Sequence, residues 1–95
     1  MENQKYIVRG DQSGVFYGEI EKRDGQDVVM RNARCLWYWD GAASLLQMAL
    51  EGVKRPSNCQ FTVTVDQLEV LDAIEILSCT SEAVRSIEGV KPWNA

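Results

Sequence analysis

Val15-Phe16-Tyr17-Gly18-Glu19-Ile20-Glu21-Lys22-Arg23-Asp24-Gly25-Gln26-Asp27-Val28-Val29-Met30 is the stretch whose reading decides the fold. Two runs rich in β-branched and aromatic residues flank Asp24-Gly25. Asp-Gly between such runs is the strongest short hairpin signal, because both residues tolerate the positive φ of a type I′ turn. Val15–Lys22 is therefore expected to pair antiparallel with Asp27–Met30. Upstream, Tyr6–Arg9 reads as a first strand, closed by the tight polar loop Gly10-Asp11-Gln12-Ser13-Gly14. Downstream, Arg31-Asn32-Ala33 bends the return strand before Arg34-Cys35-Leu36-Trp37-Tyr38-Trp39 continues extended, as aromatic runs favour.

A helix over about 41–52 follows, with Asp40 as its expected N-cap and Gly52 as its left-handed stop. Ala42, Leu45, Leu46, Ala49, Leu50 and Val53 recur at the three-and-four spacing of one buried face. Ser44, Gln47 and Glu51 fall on the wet side. Lys54–Asn58 is a loop, and Phe61-Thr62-Val63-Thr64-Val65 alternates as a half-buried strand. Asp66–Asp72 is ambiguous between strand and turn, Ala73–Leu77 is another strand, and Thr80 or Ser81 caps a short helix over about 81–88 that Gly89 ends. The pattern predicts a single α+β domain over 1–95, with an antiparallel sheet of about five or six strands curled towards a small barrel. Its core is expected to join Leu45, Leu46, Ala49 and Leu50 to Val63, Val65, Ile74 and Ile76.

Composition narrows the chemistry. The 95 residues carry 14 Asp+Glu against 10 Lys+Arg, a net charge of −4, and no histidine. Without imidazole there is no Ser-His-Asp or Cys-His nucleophile system and no His-ligated zinc. An acidic total argues against a DNA-coating role, whose affinity comes from neutralising phosphates. Cys35, Cys59 and Cys79 are odd in number and widely spaced, so they read as reduced thiols packed as small hydrophobes. The amino terminus has no signal-peptide pattern and no apolar run is long enough for a membrane span. A soluble intracellular protein is expected, with no cofactor, no metal and no catalytic residues. Glu19 and Glu21 read as a solvated strand edge rather than an acid–base pair.

Two segments could carry binding. Arg34 to Gly41 brings an arginine, two tryptophans, a tyrosine and a carboxylate to a strand-to-helix junction. Aromatic rings stack on planar bases and arginine pairs bidentately with phosphate or carboxylate. Alternation would send Trp37 and Trp39 to one face and Arg34, Leu36 and Tyr38 to the other. The second segment is Arg9–Gly14, whose successive N–H groups could form a concave anion site completed by Arg9 and Ser13.

The whole chain resembles an uncharacterised family of small phage and prophage proteins. The residues that carry the resemblance are Ile7-Val8-Arg9, Ser13-Gly14-Val15 with Gly18, Asn32-Ala33-Arg34, and the distinctive Trp37-Tyr38-Trp39-Asp40-Gly41-Ala42-Ala43-Ser44 block. Ala73-Ile74-Glu75-Ile76, Cys79-Thr80 and Trp93 also fit, and Cys35 stands where the pattern often has a second arginine. The resemblance implies a viral origin and expression in the cytoplasm of an infected or lysogenic bacterium. By analogy with accessory phage proteins of this size, the expected function is anti-defence. The protein would sequester a nucleotide immune signal, a cyclic oligonucleotide or a cyclic ADP-ribose isomer, without cleaving it. Arg9, Ser13 and Arg34 would hold phosphate or ribose, with Gly14 also at the ligand site, and a ring among Trp37, Tyr38 and Trp39 would supply the base platform. The alternatives are a protein-binding inhibitor of a host defence enzyme and a virion or assembly component. At least a homodimer is expected, because so small a β-rich domain has limited means to cover its apolar surface.

Overall fold

The computed structural model describes residues 4–93. Its strands are β1 (Tyr6–Gly10), β2 (Val15–Asp24), β3 (Asp27–Tyr38), β4 (Gln60–Phe61), β5 (Val65–Val70) and β6 (Ala73–Ser78); its helices are α1 (Leu45–Glu51) and α2 (Ser81–Glu88). All strand pairings are antiparallel, in the order β4-β3-β2-β1-β6, with β5 also paired to β3. The α+β class, the curled sheet and the 81–88 helix are as the sequence predicts. The β2–β3 turn is centred on Gly25-Gln26, with φ +62 at Gly25 and no positive φ at Gln26. Glycine alone at the first central position marks a type II′ turn rather than the expected I′.

Pairing register shows how the sheet curls. β2 leaves β1 at Tyr6, yet Gln26 at the hairpin tip accepts the N–H of Ala73, which pairs with Gly10 at the opposite end of β1. The hairpin must therefore fold back across the sheet. Two register shifts permit the bend, one between Tyr17 and Glu19 and one between Ile20 and Lys22. Asn32 occupies φ +50 at the first, opposite Gly18. A Cβ on Gly18 would lie 2.9 Å from the Cα of Ala33, so only glycine lets the strands approach there.

Because the sheet curls, both of its faces are buried. Val8, Val28, Met30, Ala33, Val70 and Ala73 fill the inside of the curl. Ile7, Tyr17, Leu36 and Phe61 pack on the outer face against Met48, Ala49, Ala83 and Ile87 of the two helices.

The main helix differs from expectation. It starts at Leu45, with Ser44 as N-cap accepting the Gln47 N–H, while Gln47 Oε1 accepts from Ala43 at 2.8 Å. Asp40 is not a cap: its carboxylate takes bonds from Arg55 and Asn58, both at 2.9 Å. Residues 40–41 instead run beside 54–55, where Lys54 N–H donates to the Gly41 carbonyl and Arg55 N–H to that of Asp40. Gly41 has φ +98, and a Cβ there would lie 2.5 Å from the Lys54 nitrogen. The buried stripe is also turned by one position: Leu45 is half-buried and Met48 and Ala49 are buried, whereas Leu46 and Leu50 are 60% and 59% exposed.

The expected core residues Val63, Val65 and Ile74 are exposed too. Residues 62–64 leave the sheet, so the 61–65 strand is cut to β4 and β5 begins at Val65. Ile74 sits in a β6 bulge opposite the Arg9–Gly10 step, which turns it outward.

Candidate functional site

Arg34 lies on β3 and is only 4% exposed. Its guanidinium donates to four backbone carbonyls: Thr62 through Nε at 2.9 Å, Phe61 through Nη2 at 3.2 Å, and Ile87 and Val90 through Nη1 at 3.0 Å each. The group also stacks over the Phe61 ring at 5.5 Å. Ile87 belongs to the last turn of α2, where carbonyls lack helical partners and a cation complements the helix dipole. Burial lowers the guanidinium pKa, but arginine stays protonated. Arg34 is therefore a structural cation that ties β3, the 61–62 segment and the end of α2 together. It is not a surface contact for phosphate, because four of its five N–H groups are spent inside the fold.

The Arg9–Gly14 loop does form a receptor for an anion, and the anion is the protein's own. Gln12 and Ser13 N–H groups donate to Asp72 Oδ2 at 2.8 and 3.1 Å, and the Ser13 hydroxyl donates to Oδ1 at 2.5 Å. These bonds, the Ser13 hydroxyl first, hold the Asp72 carboxyl below its usual range. The loop thus closes on the β5–β6 connection, and Ser13 is committed to it. Arg9 is exposed and paired with Glu75 at 2.9 Å. Gly14 stands at φ +119 as the hinge into β2.

The aromatic run behaves differently. The β3–β4 register shifts between Leu36 and Tyr38, leaving Trp37 as an extra residue. The bulge breaks strand alternation, and the two neighbours that alternation would send to opposite faces are both in solvent, Trp37 at 66% and Tyr38 at 52%. Trp39 is half-buried and packs on the outer core. Since Phe16 pairs with Cys35, continuing the register sets Gly14 beside Trp37. The aromatic pair and the loop therefore share one end of the sheet. Of the seven residues expected to form a site, Trp37, Tyr38, Gly14 and Arg9 lie on or near that end's surface. Arg34, Ser13 and much of Trp39 serve the scaffold.

A polar network that the sequence did not reveal joins β1, β2 and α2. Buried Tyr17 donates its hydroxyl to Glu88 at 2.7 Å, and Lys5 bridges Glu88 at 3.1 Å and Glu19 at 3.3 Å. Burial and the Glu88 carboxylate push the Tyr17 phenol up. Burial pushes the Glu88 carboxyl up, but the Tyr17 hydroxyl and the Lys5 ammonium outweigh it and hold the carboxyl below its usual range. Only spacing across 71 residues brings Tyr17 to Glu88, so no local pattern could have signalled the pair.

The cysteines are all free, with Cys59 and Cys79 buried and Cys35 half-buried. Burial raises all three thiols, Cys79 to about 11, so none is a thiolate at neutral pH. Among the described residues no group of three or more Cys, Asp or Glu side chains could hold a metal ion, and no helix is long and apolar enough to cross a membrane.

No curated protein and no solved structure matches the chain. A family model described as a domain of unknown function (DUF6948) matches residues 3–87, nearly the whole chain, and the protein belongs to that family.

Proposed function

We propose that this is a non-catalytic binding protein that engages another protein through the bulged aromatic pair Trp37 and Tyr38. The observation that carries this reading is that a register shift in β3 turns two adjacent large aromatics into solvent. Burying each would contribute about 1.5–3 kcal/mol to the core of a domain with little to spare. Tryptophan and tyrosine are also the residues most enriched among interface hot spots. Of the functions considered from the sequence, this supports the protein-directed inhibitor over the nucleotide sponge. Stacking needs only the rings, but a sponge also needs free phosphate contacts, and Arg34 and Ser13 are engaged within the fold. In the phage setting that the resemblance implies, the partner is a host defence protein.

Self-association belongs to the same proposal. Leu46 and Leu50 leave apolar surface on α1 that a second copy would cover. Light scattering that returns a 10.7 kDa monomer at micromolar protein would refute it.

The function is tested by titrating purified candidate defence enzymes with the wild-type chain and with Trp37→Ala/Tyr38→Ala, using Leu46→Ala/Leu50→Ala as the control. Binding lost with the aromatic pair and kept with the leucine pair is expected. A parallel thermal-shift screen covers cyclic di- and trinucleotides and cyclic ADP-ribose isomers. A nucleotide that raises the melting temperature, with the rise lost in the aromatic variant, would replace the protein-directed reading with the sponge.

A further inference from the structure

A cavity of about 500 Å³ opens between the single 3-10 turn Pro56–Asn58 and the tail that follows α2. That is within the range of ~300–1,000 Å³ typical of small-molecule sites. Pro56, Ser57 and Cys59 line it from the first segment, and Lys91, Pro92 and Trp93 from the second. Both walls are tied down. The Asn58 N–H donates to the Arg55 carbonyl at 3.0 Å and the Cys59 N–H to that of Pro56 at 3.1 Å, which closes the turn. Across the cavity the Trp93 N–H donates to the Phe61 carbonyl at 2.7 Å, Pro92 forms a bridge with Phe61, and buried Arg34 holds the Val90 carbonyl. Walls braced in this way are preformed, so a ligand meets little ordering cost.

The chemistry of the lining is one-sided. Two proline rings and an indole that is 48% exposed offer apolar and aromatic surface. Lys91 is the one charged residue in the lining, and no carboxylate accompanies it there. Its ammonium has no ion pair or hydrogen bond among the described residues, and among them the Ser57 hydroxyl and the Trp93 indole N–H are unspent as well. Unspent donors and an unmatched cation beside ring surface are complementary to an anion carried on a flat apolar body. We propose that this cavity binds a small aromatic carboxylate. The ligand's ring packs against the Trp93 indole and the prolines, and its carboxylate pairs with the Lys91 ammonium. No lining residue belongs to the Trp37–Tyr38 pair, so this site stands apart from that surface.

The test is calorimetry and NMR on the full chain with benzoate, phenylacetate and indole-3-acetate. Acetate, which lacks the ring, benzyl alcohol, which lacks the charge, and benzylamine, which reverses it, are the controls. At least one aromatic carboxylate is expected to bind about tenfold or more tightly than all three controls and to shift the Trp93 indole N–H resonance. Lys91 is exposed, so Lys91→Gln should fold, as circular dichroism will check. It should weaken the binding by about tenfold or more, as loss of a charge-assisted hydrogen bond does. Lys91→Arg should keep most of the affinity, and Trp37→Ala should leave it unchanged. The proposal is overturned if no aromatic carboxylate binds, if any control binds as tightly as the aromatic carboxylates, or if Lys91→Gln binds like wild type.

Discussion

Arg34 and Trp37 stand three residues apart on one strand, and in the sequence they read as two halves of one ligand site. The fold separates them. Arg34 faces the helices and is consumed by carbonyls from the 61–62 segment, the last turn of α2 and Val90 just beyond it. Trp37 lies past a register shift and has no place in either core cluster. The comparison teaches that a cation and a ring in one motif need not share a task. A guanidinium can settle inside a protein wherever backbone carbonyls converge, since each bond to a charged group is worth about 1.5–3 kcal/mol. An indole on a bulged edge finds no such set of carbonyls and stays in solvent.

Substitutions along and around β3 can break or sharpen that contrast. The largest effect is expected at Arg34. Arg34→Ala would orphan buried carbonyls and leave a cavity over Phe61, costing about 3–5 kcal/mol in denaturant unfolding. Arg34→Lys should recover little, because one ammonium cannot satisfy four carbonyls set in a plane-like fork. If Arg34→Ala unfolds like wild type, the scaffold role assigned to it is wrong.

Gly18 comes next. Gly18→Ala forces a Cβ to within 2.9 Å of Ala33 backbone at the corner where the hairpin folds back. A loss of about 1–3 kcal/mol is expected from overpacking, read as a lower melting temperature.

Tyr17→Phe should cost about 0.5–1.5 kcal/mol at neutral pH by removing the Glu88 hydrogen bond. The sign of its pH dependence follows from Glu88, whose folded carboxyl sits below its usual range. That stabilisation is present above the unfolded carboxyl pKa and is lost as pH falls through the depressed folded one. The gap between wild type and Tyr17→Phe should therefore narrow in acid; a gap that widens would contradict the network.

The smallest effects belong to the exposed residues. Trp37→Ala, Tyr38→Ala and Leu46→Ala should each change stability by no more than about 0.5 kcal/mol. The last of these departs most sharply from the sequence pattern, which placed Leu46 in the core. A large loss at Leu46 in a protein shown to be monomeric would mean that α1 packs by the face the pattern suggested.

What the sequence by itself determined is everything that local chemistry decides. The β-rich runs around Gly25 specify a hairpin, and Thr80 with Gly89 brackets α2 at both ends. The capping signal for α1 was legible as well, in Ser44-Leu45-Leu46-Gln47, but Asp40-Gly41 offered a competing start and both patterns satisfy the same local rules. Choosing between them needed the 54–55 segment that pairs with 40–41, a contact no local window contains. The same limit governs the candidate site. Three-and-four spacing allows two neighbouring stripes on α1, and only packing against α2 and β1 selects Met48 over Leu46. A polar loop rich in N–H groups can hold any carboxylate or phosphate, and only the fold brings Asp72 to it across nearly sixty residues. Strand alternation assumes an unbroken register, so the bulge that exposes both Trp37 and Tyr38 exists only in the pairing of β3 with β4. Residue types and their spacing limit what each segment can do. Which groups are then spent on one another, and which are left at the surface, depends on long-range contacts whose energies exist only once the chain has closed on itself.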